Sequence, residues 1–280
     1  MAEFFKSLEE DAKQGNTEAQ YALGFIDETI YWTTQAANNG HADAQFYLAK
    51  CFYRGDKVEK NNENAIKWLT KAAANGHINA EFFLAGCFYK GDGVDKNIET
   101  SIEWLTKAAD HGHVMAQFYL AGYFLNGQFV KKDLDTSIKW VTKAAKQDHV
   151  ESQYHLAKCF YLGEGVEKNI DIAKSWLIKA SMKGDANSFL KLGICYYCDE
   201  CYDVAAKWWS KAAEGKNGQA MYNLATCYAI GKGVKKDKKV AIKWYTEATK
   251  HGYQIPEKCK KIITQEKPVD ELPIKRFRPN

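Results

Sequence analysis

Apolar positions along this chain fall into two alternating helical stripes separated by short polar joints. In residues 44–77, Ala44, Tyr47, Leu48, Cys51 and Phe52 lie at i, i+3, i+4, i+7 and i+8, one face of an α-helix. Ala65, Trp68, Leu69 and Ala72 form a second stripe at i, i+3, i+4 and i+7. The joints G-D-K-V-E-K-N and N-G-H hold the glycines and asparagines that turn a chain, with Gly76 placed as a helix C-cap. Strand-type alternation is absent, and no proline precedes Pro256. An interior proline costs a helix about 3 kcal/mol, so a run this long without one suits packed helices.

The double stripe repeats. Trp32, Trp68, Trp104, Trp140 and Trp176 are spaced by 36 residues, as are Trp208 and Trp244, and only the step between Trp176 and Trp208 is 32. Self-similarity at such a period marks a solenoid, because one hairpin cannot bury its apolar stripe alone. Ala49, Ala85, Ala121, Ala157, Gly193 and Ala225 keep one first-helix position small. Close helix approach there predicts that the tryptophan of the second helix packs across the joint.

The pattern A-x-F-x-L-A-x-x-F-Y-x-G-x-G-V-x-K-N…A-x-x-W-L-x-K-A-A-x-x-G-H, clearest over residues 80–113, resembles the Sel1-like repeat, a relative of the tetratricopeptide repeat. The resemblance covers roughly residues 17–252. It implies an all-α fold, a right-handed α/α superhelical solenoid of antiparallel helix pairs whose first helices line a concave face. The expected organisation is an N-terminal capping helix at 1–15 and seven helix-pair repeats over 16–252. A C-terminal capping helix at 253–265 and a flexible, proline-rich basic tail at 266–280 follow. The first hairpin has only Asp27 and Glu28 between its helices, and the pair at 186–214 has lost four residues from its loop.

Composition narrows the partners. A net charge of +4 is too small to argue for nucleic acid, although residues 232–280 hold 14 Lys+Arg against 6 Asp+Glu while residues 1–231 hold 25 against 29. No stretch approaches the ~18 apolar residues of a membrane span, and the N-terminus lacks a signal-peptide pattern. Cys51, Cys87, Cys159, Cys195 and Cys227 occupy one core position, with Tyr123 in the remaining slot. Secreted relatives brace hairpins with paired cysteines, and the joints around Gly76 and Gly112 lack them. The expectation is therefore a cytoplasmic, reducing location.

Several motifs have simple readings. His41, His77, His113 and His149 recur at helix entries about one repeat apart, too far to share a metal, and are expected to be structural. The G-x-G-V-x-K loops at Gly91, Gly163 and Gly231 follow helices and read as turns. Cys195, Cys198 and Cys201, with Cys259 as a possible fourth ligand, offer a metal or redox alternative, but the two separated C-x-x-C halves of a zinc site are missing. No cofactor is expected.

The candidate binding face lies opposite the core stripe of the first helices. It comprises Phe46, Lys50, Tyr53 and Arg54, then Phe82, Tyr89 and Lys90 with Gly86, then Phe118 and Asn126 with Gly122. Tyr154, Lys158, Tyr161, Tyr197 and Tyr222 continue it. In tetratricopeptide-like folds these positions line the concave groove, where an aromatic ladder with lysines suits an extended peptide or helix. No catalytic constellation rises above the repeat background. The expected function is a non-enzymatic adaptor for a partner protein or peptide. The resemblance leaves open a toxin-neutralising immunity protein or a host-interacting effector. It also leaves open β-lactam hydrolysis, known among disulfide-rich relatives and disfavoured by the missing cysteine pairs.

Overall fold

The computed structural model describes residues 2–26 and 30–256. All regular elements among them are helices: α1 (Ala2–Lys13), α2 (Thr17–Ile26), α3 (Ile30–Asn38), α4 (Ala42–Arg54), α5 (Asn62–Ala74), α6 (Ile78–Lys90), α7 (Ile98–Asp110) and α8 (Val114–Asn126). They continue as α9 (Leu134–Lys146), α10 (Val150–Leu162), α11 (Ile170–Ser181), α12 (Ala186–Cys198), α13 (Tyr202–Glu214), α14 (Gly218–Ile230) and α15 (Lys238–Lys250). The chain divides within α9 into two compact units, Met1–Trp140 and Val141–Asn280. Residues 253–256 of the expected closing helix are not helical, while Asp27, Glu28, 257–265 and the tail lie outside the described residues.

Local chemistry sets the helix limits. The backbone N–H groups of Ala44, Ala80, Ala116 and Ser152 donate to Nδ1 of His41, His77, His113 and His149 at 3.1–3.3 Å, so the repeating histidines are N-caps. Asn16, Asp185 and Asn217 do the same work with side-chain oxygens. The first helices α4, α6, α8, α10 and α14 end on left-handed glycines, Gly91 at φ 86° being one. In the same joints the N–H of Asn61 or Asn97 bonds back to the carbonyl of Phe52 or Phe88, and each asparagine then caps the second helix. The glycine loops are turns.

Each layer of core joins three helices. Ala49 of α4, Leu69 and Ala72 of α5 and Ala80, Leu84 and Cys87 of α6 form one buried cluster. Ala85, Leu105 and Ala116 repeat the motif in α6–α8, and Ala157, Leu177 and Leu192 in α10–α12. The side chain buried with the small first-helix residue is therefore the one after each regularly spaced tryptophan. Those tryptophans are half-buried: Trp68 and Trp104 each pack against two successive clusters. The tryptophans therefore do pack against the clusters of the small first-helix residues, while the fully enclosed partner is the residue that follows each of them. In α13 the shift is plain, because Trp209 is fully buried and donates its indole N–H to the carbonyl of Leu190 at 3.1 Å. A Cβ added to Gly193 would run into that indole.

A polar bond seals successive layers. The amides of Gln20, Gln45, Gln117 and Gln153 donate to the carbonyls of Ala12, Ala37, Ala109 and Ala145. In α6 this place is held by Glu81, 3% exposed, whose carboxylate accepts from His111 Nδ1 at 2.8 Å. The repeated cysteines Cys51, Cys87, Cys159, Cys195 and Cys227 are all buried, and burial pushes the Cys87 and Cys159 thiols up to about 11 and those of Cys195 and Cys227 up to about 12.

Three outcomes follow from this packing. Gly193→Ala is expected to cost about 1–3 kcal/mol in urea unfolding, the range for overpacking a tight contact. Among the described cysteines, only the exposed Cys198 and Cys201 are expected to react quickly with a thiol reagent near neutral pH, read by mass spectrometry of the native chain. Burial holds His77 and His113 below the usual 6.5, so the unfolded chain binds more protons and their contribution is present above 6.5 and lost as pH falls below it. The melting temperature should drop on that side of 6.5, and a His77→Asn/His113→Asn variant, which keeps the caps, should drop less.

Candidate functional site

The first helices of the N-terminal unit bring their aromatic residues into two different settings. Phe46 stacks on the imidazole of His77 and Phe82 on that of His113, both with ring centroids 4.2 Å apart. Each ring thus braces the N-cap of the next first helix. Lys50 places its ammonium 4.9 Å from the Phe46 ring centroid. The Tyr53 hydroxyl donates to Asp92 Oδ2 at 2.8 Å, and that bond is the main cause raising its pKa. Arg54, Lys90 and Asn126 are exposed near helix C-termini, and Phe118 is half-buried against Tyr119.

Between α4, α6 and α8 lies an open cavity of about 440 Å³, within the size range of ligand pockets. Tyr53, Phe82, Tyr89 and Lys90 of the expected face line it, whereas Phe46, Lys50, Arg54, Phe118 and Asn126 do not. Its remaining aromatic wall is Phe83, Tyr119 and Tyr123, which the sequence reading left out. Two of these follow Phe82 and Phe118 directly, and Tyr123 was visible as the exception in the cysteine slot. Tyr89 remains 39% exposed.

Two backbone features lie at or beside this space. Gly86 lines the cavity, and among the described residues, its chain neighbours and its own helix backbone aside, nothing stands within 4 Å of where a Cβ of Gly86 or Gly122 would lie. Glycine inside a helix costs about 0.5–1 kcal/mol relative to alanine. In the loop after α8, Phe129 adopts φ 64°, as Lys57 does at φ 63° after α4, where Gly93, Gly165 and Gly233 stand in other repeats, a conformation costing a non-glycine residue roughly 1–2 kcal/mol. Its ring, 44% exposed, meets the edges of Tyr89 and Tyr123 at centroid distances of 6.0 and 5.3 Å.

In the C-terminal unit the corresponding face is more closed. Tyr154 is half-buried, and burial raises its phenol to about 12. Lys158 is half-buried and contributes, after burial, to lowering Lys191 to about 8. Tyr161 lies 3.9 Å from Cys198 Sγ, and Tyr197 packs on Tyr202 and Trp209. Tyr222 is a correction: at 0% exposure it belongs to the core with Tyr245 and Ile255, and Leu190, Ile194 and Thr226 on the same face are also buried. The three thiols are not gathered either. Cys195 sits in the core with Ala157 and Leu177, Cys198 and Cys201 are exposed, and Cys259 lies outside the described residues. Among the described residues no three His, Cys, Asp or Glu side chains are grouped as a metal would need, and no helix is long and apolar enough to cross a membrane.

The Sel1 repeat pattern matches residues 26–41, 42–77, 78–113, 114–149, 150–185, 202–217 and 218–253. No curated protein matches the chain in sequence. Among solved structures, a protective antigen of uropathogenic Escherichia coli with an SLR fold is 27% identical with a TM-score of 0.80. The similarity covers 88% of this chain and 56% of the antigen, so the chain spans little more than half of that protein. A Sel1 repeat protein from Oxalobacter formigenes is 26% identical with a TM-score of 0.53, over 94% of this chain and 90% of its own. Seven matched segments and stacked helix pairs lead to one assignment: the chain belongs to the Sel1 repeat family.

Proposed function

We propose that the chain is a non-enzymatic adaptor that binds a partner protein or peptide on the exposed face of its first helices. The observation that carries this reading is the aromatic cavity between α4, α6 and α8, rimmed by the exposed Tyr89 and Lys90. Large rings with a polar tip supply most of the energy at binding hot spots, and a preformed wall orders few side chains on binding. In the C-terminal unit, taken by itself, Tyr161 and Lys158 are half-buried on its own first helix α10. A reducing compartment fits the lone thiols packed in the core.

The test is affinity capture with the full chain, then titration of the purified captured protein against wild type and a Tyr89→Ala/Tyr161→Ala variant. Binding at least about tenfold weaker in the variant is expected, since a hot-spot truncation costs 2 kcal/mol or more. Equal affinity for both would remove the first-helix face from the reading.

A further inference from the structure

One joint of the C-terminal unit differs in charge from the other regular joints of the chain. Residues 232–243, the loop after α14 and the first turns of α15, hold six lysines against one acid, Asp237. The stretches at the same repeat position, 56–67, 92–103, 128–139 and 164–175, have net charges of 0, −3, +1 and −1, where this one has +5. The rest of the described C-terminal unit, 141–231 and 244–256, is near neutral, with 12 lysines against 11 acids. The excess is therefore a local patch.

The patch is preformed and largely unneutralised. Gly231 ends α14 in the left-handed region, and the Asp237 N–H donates back to the carbonyl of Tyr228 at 2.9 Å. A Cβ on Gly233 would run into the carbonyl of Tyr202, so the loop is seated on the joint between α12 and α13. Lys232, Lys235, Lys236, Lys238 and Lys239 are all exposed, and none forms an ion pair with a described carboxylate. Asp237 spends its carboxylate on the N–H groups of Lys239 and Val240. On the neighbouring joint Asp199 pairs with Lys174 and Asp203 with Lys207, which leaves Glu200 against five cations. Lys232 lies over rings, 4.6 Å from the centroid of Tyr202 and 5.7 Å from that of Tyr197.

The lysines also oppose the preference of the helix they start. Glu63, Glu99, Asp135 and Asp171 put a carboxylate in the first turn of α5, α7, α9 and α11, at the positive end of the helix dipole. Lys239 takes that place in α15, whose first turn has no acid. Local rules are broken in this way where function opposes stability.

The chemistry of the patch narrows its partner. It has no arginine to grip a phosphate with two parallel bonds. The apolar stripe of α15, Ala241, Tyr245 and Ala248, is buried, so the helix has no apolar face free to enter a bilayer. Tyr197 and Tyr202 are half-buried under Lys232 and offer no open ring for a base. A nucleic acid is charged along its whole length, whereas this patch ends in near-neutral surface within one joint. A short run of carboxylates matches it.

We infer that the joint between α14 and α15 docks a short acidic segment of a partner protein, whose carboxylates meet Lys232, Lys235, Lys236, Lys238 and Lys239. The inference rests on the adaptor reading and adds a second contact point and the sign of the partner's charge.

The test is a phage-displayed random peptide library selected on the immobilised full chain and depleted on a Lys235→Glu/Lys236→Glu chain. The surviving sequences are expected to share clustered Asp and Glu. A synthetic peptide of that consensus should bind at least about tenfold more weakly to Lys235→Glu/Lys236→Glu. It should bind unchanged to Lys131→Glu/Lys132→Glu, which alters net charge equally at the same positions of another repeat. Lys239→Glu should weaken binding about threefold or more while raising the melting temperature by about 1–3 °C. The same melts show that each variant is folded. An empty selection, a consensus without acids, or equal loss in the two charge-matched double variants overturns the patch. So does tighter binding, lost in Lys235→Glu/Lys236→Glu, to a DNA duplex or to phosphatidylserine vesicles. The adaptor reading survives any of these if a purified captured partner still loses affinity for Tyr89→Ala/Tyr161→Ala, and fails with the patch if no partner responds to either set of substitutions.

Discussion

One contact recurs through this chain: a second-helix side chain, large in most of the hairpins, seated on a residue of the first helix that has almost no side chain. Leu69 with Ala49, Leu105 with Ala85, Leu177 with Ala157 and Tyr245 with Ala225 share buried clusters in this way. Where the large partner grows to Trp209, the small one shrinks from alanine to Gly193. Interiors are close-packed, so volume gained on one side must be given up on the other. The remaining stripe residues, the caps and the glutamine bonds between layers all depend on the helix separation that this contact sets.

The repeating period made this arrangement legible before any coordinate. Helix limits were readable because His77, Gly91 and Asn97 mark a cap, a stop and the next cap within one repeat. The register of the buried side chain was not, because Trp68 is the larger and more conspicuous residue while Leu69 is the buried one. Trp208 and Trp209 stand side by side, and helical spacing alone does not say which one turns inward.

The candidate site was legible only in part, for related reasons. Extrapolating one face from repeat to repeat assumes that each repeat has the same neighbours. Tyr222 breaks that assumption, because Tyr245 and Tyr253 close over it at the last hairpin. In the N-terminal unit the gaps at Gly86 and Gly122 were visible as letters, but a gap acquires meaning only when its walls are known. Phe129 left no signal at all, since turn chemistry favours glycine at its position.

The half-buried tryptophans have a consequence on the opposite flank. Lys71, Lys107, Lys179 and Lys211 hold their ammonium groups 4.2–4.7 Å from the ring centroids of Trp68, Trp104, Trp176 and Trp208, one turn back in each helix. Each indole that the core cannot fully enclose is therefore roofed by a hydrated cation. Acetylating those amines would strip each roof and leave the indole beneath it as an adhesive spot where a wettable one had been.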